Sequence, residues 1–182
     1  MATQSTMLAL GTPAPPFALP EPLTGTEVTL GDLTGRALVV IFVCNHCPYV
    51  EHVAAGLAEL GRDMTAHGVA VVGISANDIA TYPQDGPQQM AQMARRHGWT
   101  FPYLFDETQD VARAYSAACT PDTFVFDGRR LLVYRGQLDD SRPRNGKPVT
   151  CADVRAAVDA VLAGRPVDPD QRPSIGCSIK WR

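Results

Sequence analysis

The chain has 182 residues, 45% hydrophobic and 19% charged, with a formal net charge of −3. That length suits one domain with a sizeable core, and the slight acidity gives no electrostatic basis for holding nucleic acid or an anionic membrane. No apolar run approaches the ~20 residues of a membrane span. The start, MATQSTMLALGTPAP, lacks the basic and long apolar segments of a signal peptide, so the expected setting is the cytoplasm, where cysteines stay reduced unless they work.

In chain order, residues 1–36 are rich in Pro, Gly and Thr and read as an irregular N-terminal arm, with a short strand at Glu27–Leu30 before turn residues Gly31 and Gly35. The run ALVVIFV at 37–43 suits a central strand buried on both faces. Pro48 then opens a helix. Val50, Val53, Leu57, Leu60 and Met64 form its apolar stripe, and Gly68 suits its end. A second buried strand is expected at 69–75. The loop ANDIATYPQDGPQQ follows, then a helix over about 88–97, a short strand at 101–105 and a short helix from Thr108 to Tyr115. DTFVFD (122–127), Gly128-Arg129-Arg130 and LLVYRG (131–136) read as a β-hairpin. Thr150 with Asp153 matches a capping box for a last helix through Leu162, stopped by Gly164. Residues 165–182 form a C-terminal extension that finishes PSIGCSIKW, too apolar for a solvated end. The order is α/β, and the whole of 1–182 is expected to be a single domain.

The chemistry concentrates in VVIFVCNHCPYVEHV, where a buried strand gives way to a helix. Five cysteines (Cys44, Cys47, Cys119, Cys151 and Cys177) are too few and too odd in number for a disulfide-stapled scaffold. A thiol attacks a disulfide only as thiolate, and a helix N-terminus stabilises negative charge. Two-residue spacing lets a second thiol close an internal disulfide. By the exposure expected along the chain, Cys44 at the strand end attacks and Cys47 on the helix resolves, with the His46 imidazole stabilising the thiolate. A C-x-x-C with His46 or Cys119 also offers soft ligands for zinc or copper. No second ligand pair at regular spacing accompanies it, so no metal is expected in the favoured reading.

LGTPAPPFALPEPLTG, CNHCPYV, ANDIATYPQDGPQQM, TPDTFVFD, YRGQLDDSRP and PSIGCSIKW together resemble the thioredoxin-like redoxins of the AhpC/TSA (peroxiredoxin-like) superfamily, over nearly the whole chain. The resemblance implies a thioredoxin-like fold, a mixed sheet flanked by helices, and a thiol redox role. It also implies a cis Thr120-Pro121 bond beside the redox pair that docks an extended substrate, which brings Cys119 near the CNHC turn. Two departures stand out. Where peroxiredoxins resemble one another in P-x-x-x-T-x-x-C, Cys47 is the matching cysteine, but Val40 and Cys44 occupy the proline and threonine positions, and Thr120-Pro121 stands where an arginine is supplied. Leu38 stands where thioredoxins resemble one another in a buried acid, which leaves Glu51, His52 or Asp122 to handle protons.

The favoured expectation is therefore a thiol–disulfide oxidoreductase with no organic cofactor. It would act on protein or small-molecule disulfides, with a thioredoxin- or glutathione-type reductant. The alternatives are a thiol peroxidase using Cys47 and a non-enzymatic metal-binding or interaction module built on the CNHC thiols. Cys119 and Cys177 are candidate additional redox thiols. Cys177 either relays electrons or lies on a tail that seals a sheet edge, and Cys151 is expected to be core filler or helix surface. The loop from Asn77 to Asp85 either lines the site or is ordered surface.

Overall fold

The apolar run at 37–43 becomes the middle strand of the molecule. The computed structural model describes residues 2–182. The elements are, in order, β1 (Ala2–Gln4), β2 (Ala18–Glu21), β3 (Thr26–Thr29), β4 (Leu38–Phe42), α1 (Pro48–Ala66), β5 (Ala70–Ser75), α2 (Pro87–His97), β6 (Tyr103–Phe105), α3 (Asp110–Ala114), β7 (Cys119–Thr120), β8 (Asp122–Phe126), β9 (Leu132–Gly136), α4 (Ala152–Leu162) and β10 (Ile175–Ser178).

The main sheet has five strands in the order β6-β5-β4-β8-β9. β4 runs parallel to β5, and β5 to β6, while β8 and β9 are antiparallel additions on the other side. Successive strand side chains face opposite ways, so β4 feeds two cores. Val39 and Ile41 pack with Val50, Leu57 and Leu60 of α1, Met90 of α2 and Val158 of α4. Leu38, Val40 and Phe42 pack with Val111 and Ala112 of α3 and with Phe17 and Leu19. Helices thus cover both faces, which explains why β4 is apolar throughout rather than alternating. Each fully buried side chain of that size contributes roughly 1.5–3 kcal/mol. No helix among the described residues is long and apolar enough to cross a membrane.

Two expectations need correction, and the C-terminal extension finds its place in a sheet. The arm at 1–36 is not irregular throughout: β2 and β3 form their own hairpin, Ala18 opposite Thr29 and Glu21 opposite Thr26. β1 and the C-terminal extension are joined, because β10 lies antiparallel between β1 and β7 in a second sheet. Finally, Thr150 does not close a capping box with Asp153. The N-cap of α4 is Cys151, and the buried Asp139 carboxylate accepts the Thr150 and Cys151 amides at 2.6 and 2.7 Å, while Asp153 accepts from Gln137 instead. A carboxylate from a neighbouring loop replaces the local cap because, buried, it needs those donors.

Candidate active site

β4 ends at Phe42 and the CNHC turn leads directly into α1, with Cys47 as N-cap and Pro48 at the first helical position. Proline suits that position because its missing N–H has no helical acceptor there. The turn is fastened from the side by Asp85, a fully buried residue. Its Oδ1 accepts the Asn45 and His46 amides at 2.7 and 3.1 Å. Its Oδ2 accepts the Asn77 side-chain amide at 2.9 Å and lies 2.5 Å from His46 Nδ1. Tyr103 donates to Asn45 Oδ1 at 3.0 Å, and the His46 ring stacks on Tyr82 with centroids 5.1 Å apart. The loop from Asn77 to Asp85 therefore lines the site. Its sequence carried one usable signal, an aspartate held between Pro83 and Gly86-Pro87, which points a fixed carboxylate out of a rigid turn.

Both CNHC sulfurs meet Thr120. Cys44 Sγ lies 3.3 Å from Thr120 Oγ1, and Cys47 Sγ–H donates to the Thr120 carbonyl at 3.2 Å. The Thr120-Pro121 peptide is cis, as the resemblance implies. Exposure does not separate the two thiols, which are 1% and 0% accessible. Electrostatics does, in the direction opposite to that expected from the sequence. Cys47 is held well below the usual thiol range by the Cys44 thiol first, then by Cys177, the Thr120 side chain and the Val50 amide, against the effect of burial. The Val50 amide acts as a helix-start dipole rather than through a full capping hydrogen bond. The Thr120 carbonyl opposes ionisation, since it can only accept; the donors outweigh it. Cys44 is pushed up, by its contact with Cys47, by burial and by the nearby Asp85 charge. The sulfur favoured as thiolate is thus Cys47, and the exposure expected of Cys44 is corrected, because it is buried.

The other candidates divide. The Cys177 thiol packs against the core that holds Cys47 and is pushed up by burial and by that neighbouring thiol. Cys119 is buried, its thiol 3.7 Å from the Pro121 carbonyl, and burial holds it protonated. Asp122 is fully buried in β8. Its Oδ2 accepts the Ala118 amide at 3.2 Å and its Oδ1 has no partner; burial pushes its carboxyl up to about 7. Glu51 does not face the thiols. It is half exposed and pairs with Arg96 at 2.5 Å, because its position in the first turn of α1 points it toward α2. His52 shares a hydrogen bond with Ser141 at 2.7 Å. Cys151 is core, its thiol pushed up to about 12 by burial. Leu38 is fully buried where an acid would stand in thioredoxins.

Ligand atoms of Cys44, His46 and Asp85 lie within 4.8 Å of one another, a sulfur, nitrogen and oxygen set of the kind zinc accepts. Both Asp85 oxygens already hold the turn, so a metal there would displace those bonds. Cys119 is not part of the set.

A family model described as the AhpC/TSA family matches residues 10–135. A Mycobacterium tuberculosis protein named "Putative peroxiredoxin" is 34% identical over 63% of this chain and 68% of its own. The thiol-disulfide oxidoreductase ResA of Geobacillus kaustophilus is 29% identical over 69% of this chain and 67% of its own. Among solved structures, an uncharacterized conserved protein from Geobacillus kaustophilus matches all of this chain and 97% of its own, with 54% identity and a TM-score of 0.98. The thioredoxin domain of a thiol-disulfide oxidoreductase from Bacteroides vulgatus covers 81% of this chain and 96% of its own with a TM-score of 0.63 at 18% identity, which marks the fold as thioredoxin-like.

Proposed function

The chain belongs to the AhpC/TSA family, whose relatives are named as thiol redox enzymes, and on that premise we propose that it is a thiol–disulfide oxidoreductase in which Cys44 and Cys47 cycle between dithiol and disulfide. The observation that carries this reading is the convergence of both sulfurs on Thr120, beside the cis Pro121 and at the start of α1.

The chemistry runs in two exchanges. The Cys47 thiolate attacks one sulfur of a disulfide substrate, the S–S bond breaks, and the departing thiolate takes a proton. Cys44 then gives up its proton and attacks Cys47 Sγ, which forms the internal disulfide and releases the second substrate thiol. Asp122, whose carboxyl burial pushes up to about 7 in the strand beside β4, is the proposed proton-handling group near the pair. His46, clamped by Asp85, keeps the turn in place. Thr120 and Pro121 are the proposed docking edge, and a thioredoxin- or glutathione-type thiol regenerates the pair. Insulin-disulfide reduction tests the assignment. Cys47→Ser is expected to abolish turnover with the fold intact, and Cys44→Ser combined with Cys177→Ser to stop at a mixed disulfide on Cys47. Full activity in either variant refutes the cycle.

A second reading keeps the same thiolate. Cys47 occupies the position that resembles the peroxidatic cysteine and is the sulfur favoured as anion, which supports peroxide reduction through a sulfenic acid. Stopped-flow hydrogen peroxide consumption separates the readings, because only a peroxidase forms sulfenic acid on Cys47 faster than it exchanges with disulfides.

A further inference from the structure

The edge proposed to receive a substrate is already filled by the protein itself. β10 pairs antiparallel with β7, Cys177 opposite Thr120 and Ser178 opposite Cys119, and β1 closes its far side with Ala2 opposite Cys177. The approach is close: a Cβ on Gly176 would stand 1.9 Å from the Thr120 carbonyl oxygen and 3.2 Å from the Pro121 nitrogen. The strand is tied down after Cys177 as well. The Ile179 amide donates to the Ala118 carbonyl at 3.0 Å and the Asp78 amide to the Lys180 carbonyl at 2.8 Å. The Lys180 amide donates to Asn77 Oδ1 at 2.8 Å, and Asn77 is one of the two side chains bonded to Asp85 Oδ2.

This seating places a third sulfur on the pair. Cys177 stands opposite Thr120, whose carbonyl lies 3.2 Å from Cys47 Sγ, and packs against the core that holds Cys44 and Cys47. It differs from them in one respect that matters for chemistry. Cys44 and Cys47 are sealed from solvent, whereas Cys177 is only partly buried. A disulfide between Cys44 and Cys47 would be buried and slow for an external reductant to reach, while one that includes Cys177 would present a sulfur nearer the surface.

Resting on the reading of Cys44 and Cys47 as a cycling pair, we propose that Cys177 is a third redox thiol, held in the place of an extended substrate, that carries the disulfide outward. Cys177 loses its proton and attacks Cys47 Sγ in the Cys44–Cys47 disulfide. The Cys47–Cys177 bond forms, the Cys44–Cys47 bond breaks, and Cys44 leaves as a thiolate that takes up a proton. Two electrons are neither gained nor lost in this step. The regenerating thiol then attacks at Cys177.

The test uses the full chain. Reduced protein is oxidised with glutathione disulfide, quenched by alkylation, digested without reductant and its linkages read by mass spectrometry. In wild type both Cys44–Cys47 and Cys47–Cys177 linkages are expected. Cys177→Ser keeps only the first. In Cys44→Ser, Cys47 attacks glutathione disulfide, Cys177 displaces the second glutathione, and only the Cys47–Cys177 linkage remains. Loss of the Cys47–Cys177 linkage from both wild type and Cys44→Ser, with Cys44–Cys47 still formed, overturns the role of Cys177 alone. Absence of Cys44–Cys47 from wild type and Cys177→Ser overturns the pair and the exchange together. The wild-type map is independent of how either variant folds.

Discussion

His46 Nδ1 lies 2.5 Å from Asp85 Oδ2, the contact that joins the CNHC turn to the loop after β5. Asp85 gathers two backbone amides and two side chains onto one buried carboxylate, so it sets where the turn between the sulfurs can go.

Asp85→Asn keeps the volume but turns one acceptor oxygen into a donor that faces other donors. The expected loss of stability is about 2–4 kcal/mol, the penalty for unmatched buried polar groups, read by urea unfolding. A loss below about 0.5 kcal/mol, the range of ordinary surface changes, contradicts the clamp.

Asp122 carries a pH signature. Its folded-state carboxyl sits at about 7 against an ordinary value near ~4, so the folded state holds the proton more tightly than the unfolded chain. Its contribution is full below pH ~4 and fades as pH rises toward ~7, worth at most roughly 4 kcal/mol over that window. Asp122→Asn removes this slope while keeping the shape. Denaturation curves with the same pH slope in wild type and variant contradict the assignment.

Gly176→Ala puts a methyl into the Thr120 carbonyl, a backbone atom that cannot move aside like a side-chain tip. β10 is expected to lift from β7 and expose Cys47. Iodoacetamide alkylation of Cys47 should then rise on the order of tenfold, as expected for local opening, with circular dichroism unchanged. Equal alkylation rates show that β10 does not seal the thiol.

How much of this was legible in the chain depends on distance along it. The apolar run at 37–43, the stripe from Val50 to Met64 and the hairpin around Gly128 have local periods, and each became the expected element within a few residues. The cis Thr120-Pro121 bond followed from the motif it resembles. Strands of three and four residues such as β1 and β10 have too few positions to show a period, and they pair across nearly the whole chain, so no local window holds both. The same holds at the site. Cys44, His46 and Cys47 were visible in one motif, but the carboxylate that clamps them comes from Asp85. The capping box at Thr150 misled because Asp139 reaches the same amides from a neighbouring loop. The exposure expected of Cys44 failed for a related reason. A strand end reads as exposed from its position along the chain, whereas Thr120, distant in sequence, packs on the Cys44 sulfur and Asp85 holds the turn beside it.

The ionisation of Cys47 tests the account most directly. Thiolate absorbance of the reduced protein, followed from acid to alkaline pH in wild type, Cys44→Ser and Cys47→Ser, reports which sulfur is anionic. One thiolate is expected already present at pH ~6, well under the ~8.5 of an unperturbed thiol, retained in Cys44→Ser and lost in Cys47→Ser. A first ionisation near ~8.5 in all three proteins, or a low one that disappears in Cys44→Ser and survives in Cys47→Ser, contradicts it.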